Sequence, residues 1–134
     1  MSDLRATRVS LMLAVLDAPA AVAWYQRALG ATVLWERGSV VGLAVQGAPF
    51  LVGEPAANGW ESPAVMGTTS VHVELFCAAP DAVLAQVVRT GGATDVEPPR
   101  EHAAPWGAHR QGGFVDPFGH RWLVGDHSPL LGLP

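Results

Sequence analysis

Five tryptophans, five histidines and one cysteine are the side chains of this 134-residue chain with the most chemistry to offer. His72 and Glu74 lie two residues apart in one apolar run, which would turn both to the same side of a strand. Together they suit a polar, N–H-bearing or cationic ligand, although a hydrogen-bonded packing histidine beside a solvated glutamate accounts for them equally. His102, His109, His120 and His127 share no spacing typical of a metal site. Cys77 ends the same run with no base near it in sequence, so it reads as a small buried hydrophobe rather than a nucleophile. Being alone, it forms no intramolecular disulfide. Asp116 and Asp126 fit turns better than acid–base chemistry. The chain contains no G-x-S-x-G elbow, phosphate-cradling loop or dinucleotide fingerprint, and no catalytic residue is assigned.

The tryptophans divide by neighbourhood. Trp24 falls in a helical pattern and Trp122 in a strand, so both are expected in the core. Trp35 lies on an early strand between Leu34 and Glu36. Trp60 and Trp106 lie in Pro- and Gly-rich stretches too polar to bury a whole indole, where exposed aromatics mark an interaction surface.

These residues have to be positioned by a chain that carries one pattern twice. Residues 18 to 22 read A-P-A-A-V and residues 79 to 83 read A-P-D-A-V. Each follows a strand-like run, Val9 to Leu16 and Val71 to Cys77, and each opens a helix that stops at a G-A-T tripeptide, Gly30-Ala31-Thr32 and Gly92-Ala93-Thr94. Asp17 can cap the first helix with Pro19 in its first turn, and Pro80 and Asp81 open the second. Gly30 and the Gly91-Gly92 pair close them. Three short β-branched runs follow each helix: Thr32 to Glu36, Val40 to Val45 and Phe50 to Val52, then Thr94 to Glu97, Gly113 to Asp116 and Arg121 to Gly125. The expected fold class is therefore α+β, with two tandem βαβββ modules in a single domain spanning 1–134. Module one covers about 7–54, a linker 55–68 and module two about 69–127. Pro98 to Arg110 is expected to be irregular.

The formal charge of −4 is carried with eight scattered arginines and no lysine, which leaves neither a basic stripe for nucleic acid nor a polybasic membrane anchor. Arg5 and Arg8 before Val9 to Leu16 superficially resemble a signal peptide. The apolar run is short and Asp17 interrupts it, while the same strand-helix pattern recurs mid-chain, so a cytoplasmic location is expected. Arginine in place of lysine, with abundant Ala, Gly and Pro, suggests a high-GC bacterial gene.

The tail F-V-D-P-F-G-H-R-W-L-V-G-D-H (114 to 127), with P-W-G (105 to 107) before it and V-L-D-A-P-A-A-V-A-W-Y-Q-R-A-L-G-A (15 to 31) in the first half, resembles the vicinal oxygen chelate superfamily, closest to its glyoxalase and bleomycin-resistance branch. The resemblance implies mixed sheets that curl around a cleft completed by a second copy of the chain. It also implies four strand positions that in the enzymes hold a divalent metal. Carried over, these fall at Ser10, about Leu51, His72 and Leu123, with Glu54 three residues beyond Leu51. Leucine offers no donor, so no metal and no cofactor are expected. Aromatic residues of the bleomycin-resistance branch flank the cleft, which implicates Trp35, Trp60 and Trp106, with Phe50 and Phe114 beside them and His72 and Glu74 as polar contacts. The function implied is non-catalytic sequestration of a planar aromatic antibiotic by a homodimer, conferring self-resistance. Bleomycin-type, mitomycin-type and quinoxaline-type compounds are the candidate classes. The alternatives are a metal-dependent lyase, isomerase or dioxygenase of the same fold, and a scaffold domain that binds another protein through its tryptophans.

Overall fold

The computed structural model describes residues 5–56, 59–105 and 107–130. Its elements run β1 (Met12–Ala14), α1 (Ala18–Leu29), β2 (Thr32–Arg37), β3 (Val40–Val45), β4 (Ala48–Gly53), α2 (Pro63–Met66), β5 (Val73–Phe76), α3 (Pro80–Thr90), β6 (Thr94–Ala104), β7 (Gly107–Val115) and β8 (Arg121–Gly125). The strands form two four-stranded sheets, ordered β1-β4-β3-β2 and β5-β8-β7-β6. In each sheet the first strand pairs in parallel with the last strand of its half, and the remaining pairs are antiparallel. The fold is α+β, two copies of one βαβββ pattern, and neither sheet closes into a barrel.

Local chemistry sets the helix ends. The Asp17 carboxylate accepts the Ala20 N–H at 3.0 Å, and the Glu54 carboxylate accepts the Ala18 N–H at 2.8 Å, so two orphan donors of the first turn of α1 are satisfied. Gly30 ends α1 at φ 66, a left-handed cap that suits glycine. In α3, Asp81 sits in the first turn, where its charge complements the helix dipole.

The strand pleat separates two kinds of surface. Val41, Leu43, Val45, Phe50 and Val52 of the first sheet, and Leu75, Phe114, Trp122 and Val124 of the second, are buried in one core with α1 and α3. Trp24 and Trp122 are buried there, as expected. Alternate residues point to the opposite, open face of each sheet.

Three segments differ from expectation. Pro98 to Ala104 and Gly107 to Arg110 are not irregular: β6 and β7 extend through them, pairing Arg100 with Gln111 and His102 with His109. The register shifts between Glu97 and Arg100, so Pro98 and Pro99 sit at a bulge on an edge strand, where a missing N–H breaks no ladder. The linker carries the short helix α2, and β1 keeps only three residues of the longer apolar run. Among the described residues no helix is long and apolar enough to cross a membrane.

The halves are joined at the turn after β7. The buried Asp116 carboxylate accepts the Tyr25 hydroxyl at 2.5 Å, the Trp122 Nε1–H at 2.9 Å, and the backbone N–H groups of Phe118 and His120, each at 2.9 Å. His120 Nε2 donates to the Ala14 carbonyl at 2.7 Å, because a carbonyl can only accept. The D-P-F-G-H turn thus holds α1 and β1 of the first half. Replacing Asp116 with alanine strands two buried side-chain donors at about 1–3 kcal/mol each, so the urea unfolding free energy is expected to fall by several kcal/mol.

Burial, then the Asp116 charge beside it, raises the Tyr25 hydroxyl well above its ordinary pKa. The folded state therefore binds the proton more tightly than the unfolded chain does. The resulting stability is present in full below the unfolded value of about 10 and falls as pH rises from there towards the folded value. Tyr25 is the sole tyrosine, so tyrosinate absorbance reports it directly. That signal should stay silent in native protein as pH passes about 10 and appear together with loss of structure, whereas an independent hyperbolic titration near pH 10 would contradict the buried network.

Candidate functional site

Both open faces follow from strand register. In the first sheet, Met12 pairs with Leu51, Leu51's other neighbour is Gly42, and Gly42 pairs with Trp35, so one row runs across all four strands. A Cβ built on Gly42 would lie 2.7 Å from Trp35 Nε1 and 2.8 Å from Cε2. The Trp35 indole therefore lies down on the bare backbone of β3. Glycine inside a strand is unfavourable for strand stability, and its role here is that close approach. One indole face rests on the sheet, yet the residue remains 47% exposed, which leaves the other face open to stack on a planar partner. Arg8 and Ser10 line the same groove, of about 260 Å³.

Gly53 repeats the device one strand over. Its absent Cβ would meet Met12 Sδ at 3.1 Å and Trp60 Cη2 at 3.4 Å, so the half-buried Trp60 also reaches the first sheet. Trp60 lines a cavity of about 600 Å³ between β1 and the linker, walled by Met12, Pro63, Met66 and Val71, with His120 on its lining. That volume is within the range of small-molecule sites, about 300–1,000 Å³.

The open face of the second sheet is more polar. Glu74 pairs with Leu123, and Leu123 with Gly113, while Gln111 lies against Gly125. Glu74 and His72 line a third groove, of about 270 Å³, with Phe50, Val73 and Leu75.

The structure thus distributes the sequence-predicted residues over three neighbouring depressions rather than gathering them in one. Trp35 has its own groove, Trp60 the linker cavity, and His72 and Glu74 the third groove. Phe50 is buried, at 7% exposure, but contributes to two of the grooves. Phe114 has to be corrected. It is fully buried, stacked on Trp122 at 6.0 Å and 5°, and has no surface to offer a ligand because its pleat position faces the helices. Trp106 lies outside the described residues. Sequence reasoning missed Gly42 and Gly53 as indole seats, although a glycine inside a β-branched run is the legible signal for such an approach. It also gave His120 to the turn alone, whereas the ring both holds Ala14 and reaches the cavity lining.

Several other polar groups are committed to structure. Glu54, the alternative to Leu51 as a metal ligand, caps α1. The Arg110 N–H chiefly holds the Asp126 carboxyl below its usual range, and the Arg110 guanidinium, forked onto Asp81 at 2.7 and 2.8 Å, does the same there. Cys77 is half-buried against the core, and burial pushes its thiol up, away from the reactive thiolate. Among the described residues no three His, Cys, Asp or Glu side chains come together in a metal-binding group. Of the four positions that the resemblance implies for metal ligands, two are leucines, a donor set that does not fit such a metal centre.

Residues 8–124 match the family model described as the Glyoxalase/Bleomycin resistance protein/Dioxygenase superfamily. The chain belongs to this family. Solved structures with the same fold include TioX from Micromonospora sp. ML1, 21% identical, with a TM-score of 0.66 over 92% of this chain and 100% of that one. A glyoxalase/bleomycin resistance protein from Albidiferax ferrireducens T118 is 20% identical, with a TM-score of 0.70 over 91% and 100% of the two chains. A mutant of the fosfomycin resistance protein FosX from Listeria monocytogenes, solved with Mn(II) and 1S,2S-dihydroxypropylphosphonic acid, is 16% identical, with a TM-score of 0.69 over 94% of each chain. At these identities the likeness establishes the fold. No curated protein sequence matches the chain.

Gly42→Ala tests the indole seat directly. The added methyl should lift Trp35 from the sheet, shifting the Trp35 indole N–H resonance in a ¹H–¹⁵N spectrum while the Trp24 and Trp122 resonances stay in place. An unchanged Trp35 resonance would show that the ring does not rest on Gly42.

Proposed function

We propose that this chain captures a planar aromatic small molecule, of the antibiotic class, and releases it unchanged. The observation that carries the proposal is the Trp35 indole, laid on Gly42 with its outer face open beside Leu51. An indole fixed against backbone loses little further rotamer freedom when a flat ring stacks on it, so more of the contact energy survives as affinity. Arg8 and Ser10 at the rim can fix the orientation of carbonyl or acidic groups on the ligand. Trp60, in the neighbouring cavity over Gly53, widens the apolar surface available to a large ligand.

Capture rather than turnover is supported by the donor chemistry. A Lewis-acid mechanism needs several N or O ligands around one ion, and Leu51 and Leu123 occupy positions where the fold's enzymes place them. A homodimer belongs to the proposal. In it, a second copy of the chain completes the cleft beside these open grooves. The setting proposed is the cytoplasm of a bacterium exposed to the compound.

Titrating intrinsic tryptophan fluorescence with bleomycin-type, mitomycin-type and quinoxaline-type compounds tests this reading. Saturable quenching by one of them is expected, with the compound recovered at unchanged mass. Trp35→Ala should weaken binding at least tenfold, equivalent to about 1.4 kcal/mol of stacking. A chemically altered compound, or a metal bound stoichiometrically and required for its conversion, would establish an enzyme instead.

A further inference from the structure

His120 has one ring nitrogen that the fold uses and one that it leaves open. Nε2 donates to the Ala14 carbonyl at 2.7 Å, so the neutral ring carries its lone pair on Nδ1. Among the described residues Nδ1 makes no hydrogen bond, and it is not sealed from solvent although the residue is only 6% exposed. His120 lines the linker cavity, and the nitrogen opens there. This wall lies beyond the edge of the first sheet rather than on its face. Leu11 O and the Val15 N–H both bond to β4, so strand alternation turns the Ala14 carbonyl, and His120 with it, to the free edge of β1. Behind the ring, α2 packs on the same turn: a Cβ on Gly119 would lie 2.8 Å from Pro63 Cβ. Two neighbouring polar side chains are engaged, Glu61 with the Ser62 N–H and Thr69 with the Val71 carbonyl.

We propose that this cavity binds a neutral aromatic molecule carrying an O–H or N–H donor, and that His120 Nδ1 accepts that donor. The ring packs against Trp60 and the Met12 and Met66 thioethers, which make favourable contacts with aromatic edges. Because the Ala14 bond fixes both the tautomer and the ring, the acceptor is preorganised and loses little further freedom on binding. A molecule of the same shape without a donor displaces water from Nδ1 and returns no hydrogen bond, which penalises it. At about 600 Å³ the cavity admits a two-ring occupant. Accepting at Nδ1 also polarises the ring towards stronger donation from Nε2, so an occupied cavity tightens the hold of the D-P-F-G-H turn on β1. Trp60 serves the capture reading as well, whereas His120 belongs to this site alone and owes nothing to Trp35.

Indole, with 1-methylindole as the analogue that cannot donate, is the probe, and the histidine ring nitrogens of the ¹⁵N-labelled full chain in weakly alkaline buffer are the readout. Indole should move the His120 Nδ1 resonance upfield saturably, as a lone pair does on accepting a hydrogen bond. 1-Methylindole should bind at least about tenfold more weakly and leave that resonance in place. His120→Gln should bring indole down to the 1-methylindole level. Because that variant also alters the Ala14 contact, the nitrogen shift of the unaltered chain decides if the variant fails to fold. Equal affinity for the two probes, an unmoved Nδ1 resonance at saturation, or no binding in millimolar indole would each overturn the proposal. So would a Trp35→Ala variant that loses indole as completely as His120→Gln, because indole would then sit in the first-sheet groove. Failure of the antibiotic titration with the indole result intact would remove the capture reading and leave this site standing.

Discussion

One buried carboxylate holds the two halves of this protein in register. Asp116 gathers the Tyr25 hydroxyl from α1, the Trp122 indole N–H from β8 and two N–H groups of its own turn, and the same turn sends His120 to the Ala14 carbonyl of β1. A carboxylate at 3% exposure would be costly without partners, and four donors satisfy it. Because these donors come from both halves, the charge is fully stabilised only when α1 and β8 are both in place. The aromatic core is built around that point: Tyr25 meets Phe50 at 5.5 Å and Trp122 at 5.7 Å, and Phe50 meets Trp122 at 5.6 Å. With the helix-side faces fixed in this way, strand pleat alone determines what the open faces present.

What they present differs between the sheets. On the first, glycines at Gly42 and Gly53 remove side chains where Trp35 and Trp60 arrive, giving an apolar floor of Met12, Leu51 and indole. A glycine in a strand costs roughly 0.5–1 kcal/mol relative to alanine, a loss offset by the area an indole covers when it lies flat. On the second, Glu74 and Gln111 keep polar groups on the surface. The two modules thus share one fold while their open faces differ in polarity.

Much of this was legible in the sequence because the signals are local. Asp17, Pro19 and Gly30 bound α1, the repeated A-P-x-A-V and G-A-T segments expose the duplication, and Trp24 and Trp122 lie on core-facing positions of their elements. Pro98-Pro99 misled because proline argues against strand in general, whereas an edge strand with a bulge accommodates it. Phe114 misled because aromatic character says nothing about which way the pleat turns a residue; its partner across the ladder is Trp122, so both point into the core. The grouping of sites was not legible at all. Trp35, Trp60 and Glu74 line three different depressions, and no spacing along the chain encodes how the folded strands and linker distribute them.

The same pleat logic connects the apolar floor with the inherited ligand positions. Leu51 and Leu123 lie on open faces, beside Met12 and Glu74 respectively, where side chains converge on whatever the sheets hold. At such positions an N or O donor recruits an ion that polarises a bound oxygen, while a leucine adds contact area and excludes water. The second choice suits stacking, since an indole and its partner gain most where both shed hydration and no fixed charge competes for solvent. It also leaves the polar duties to the edges, Arg8 on one side and Glu74 on the other. On the proposed reading, selection among flat ligands would fall to the charges they carry around the ring rather than to the ring itself, because an apolar floor accepts any face of the right size while a rim charge rejects the wrong sign.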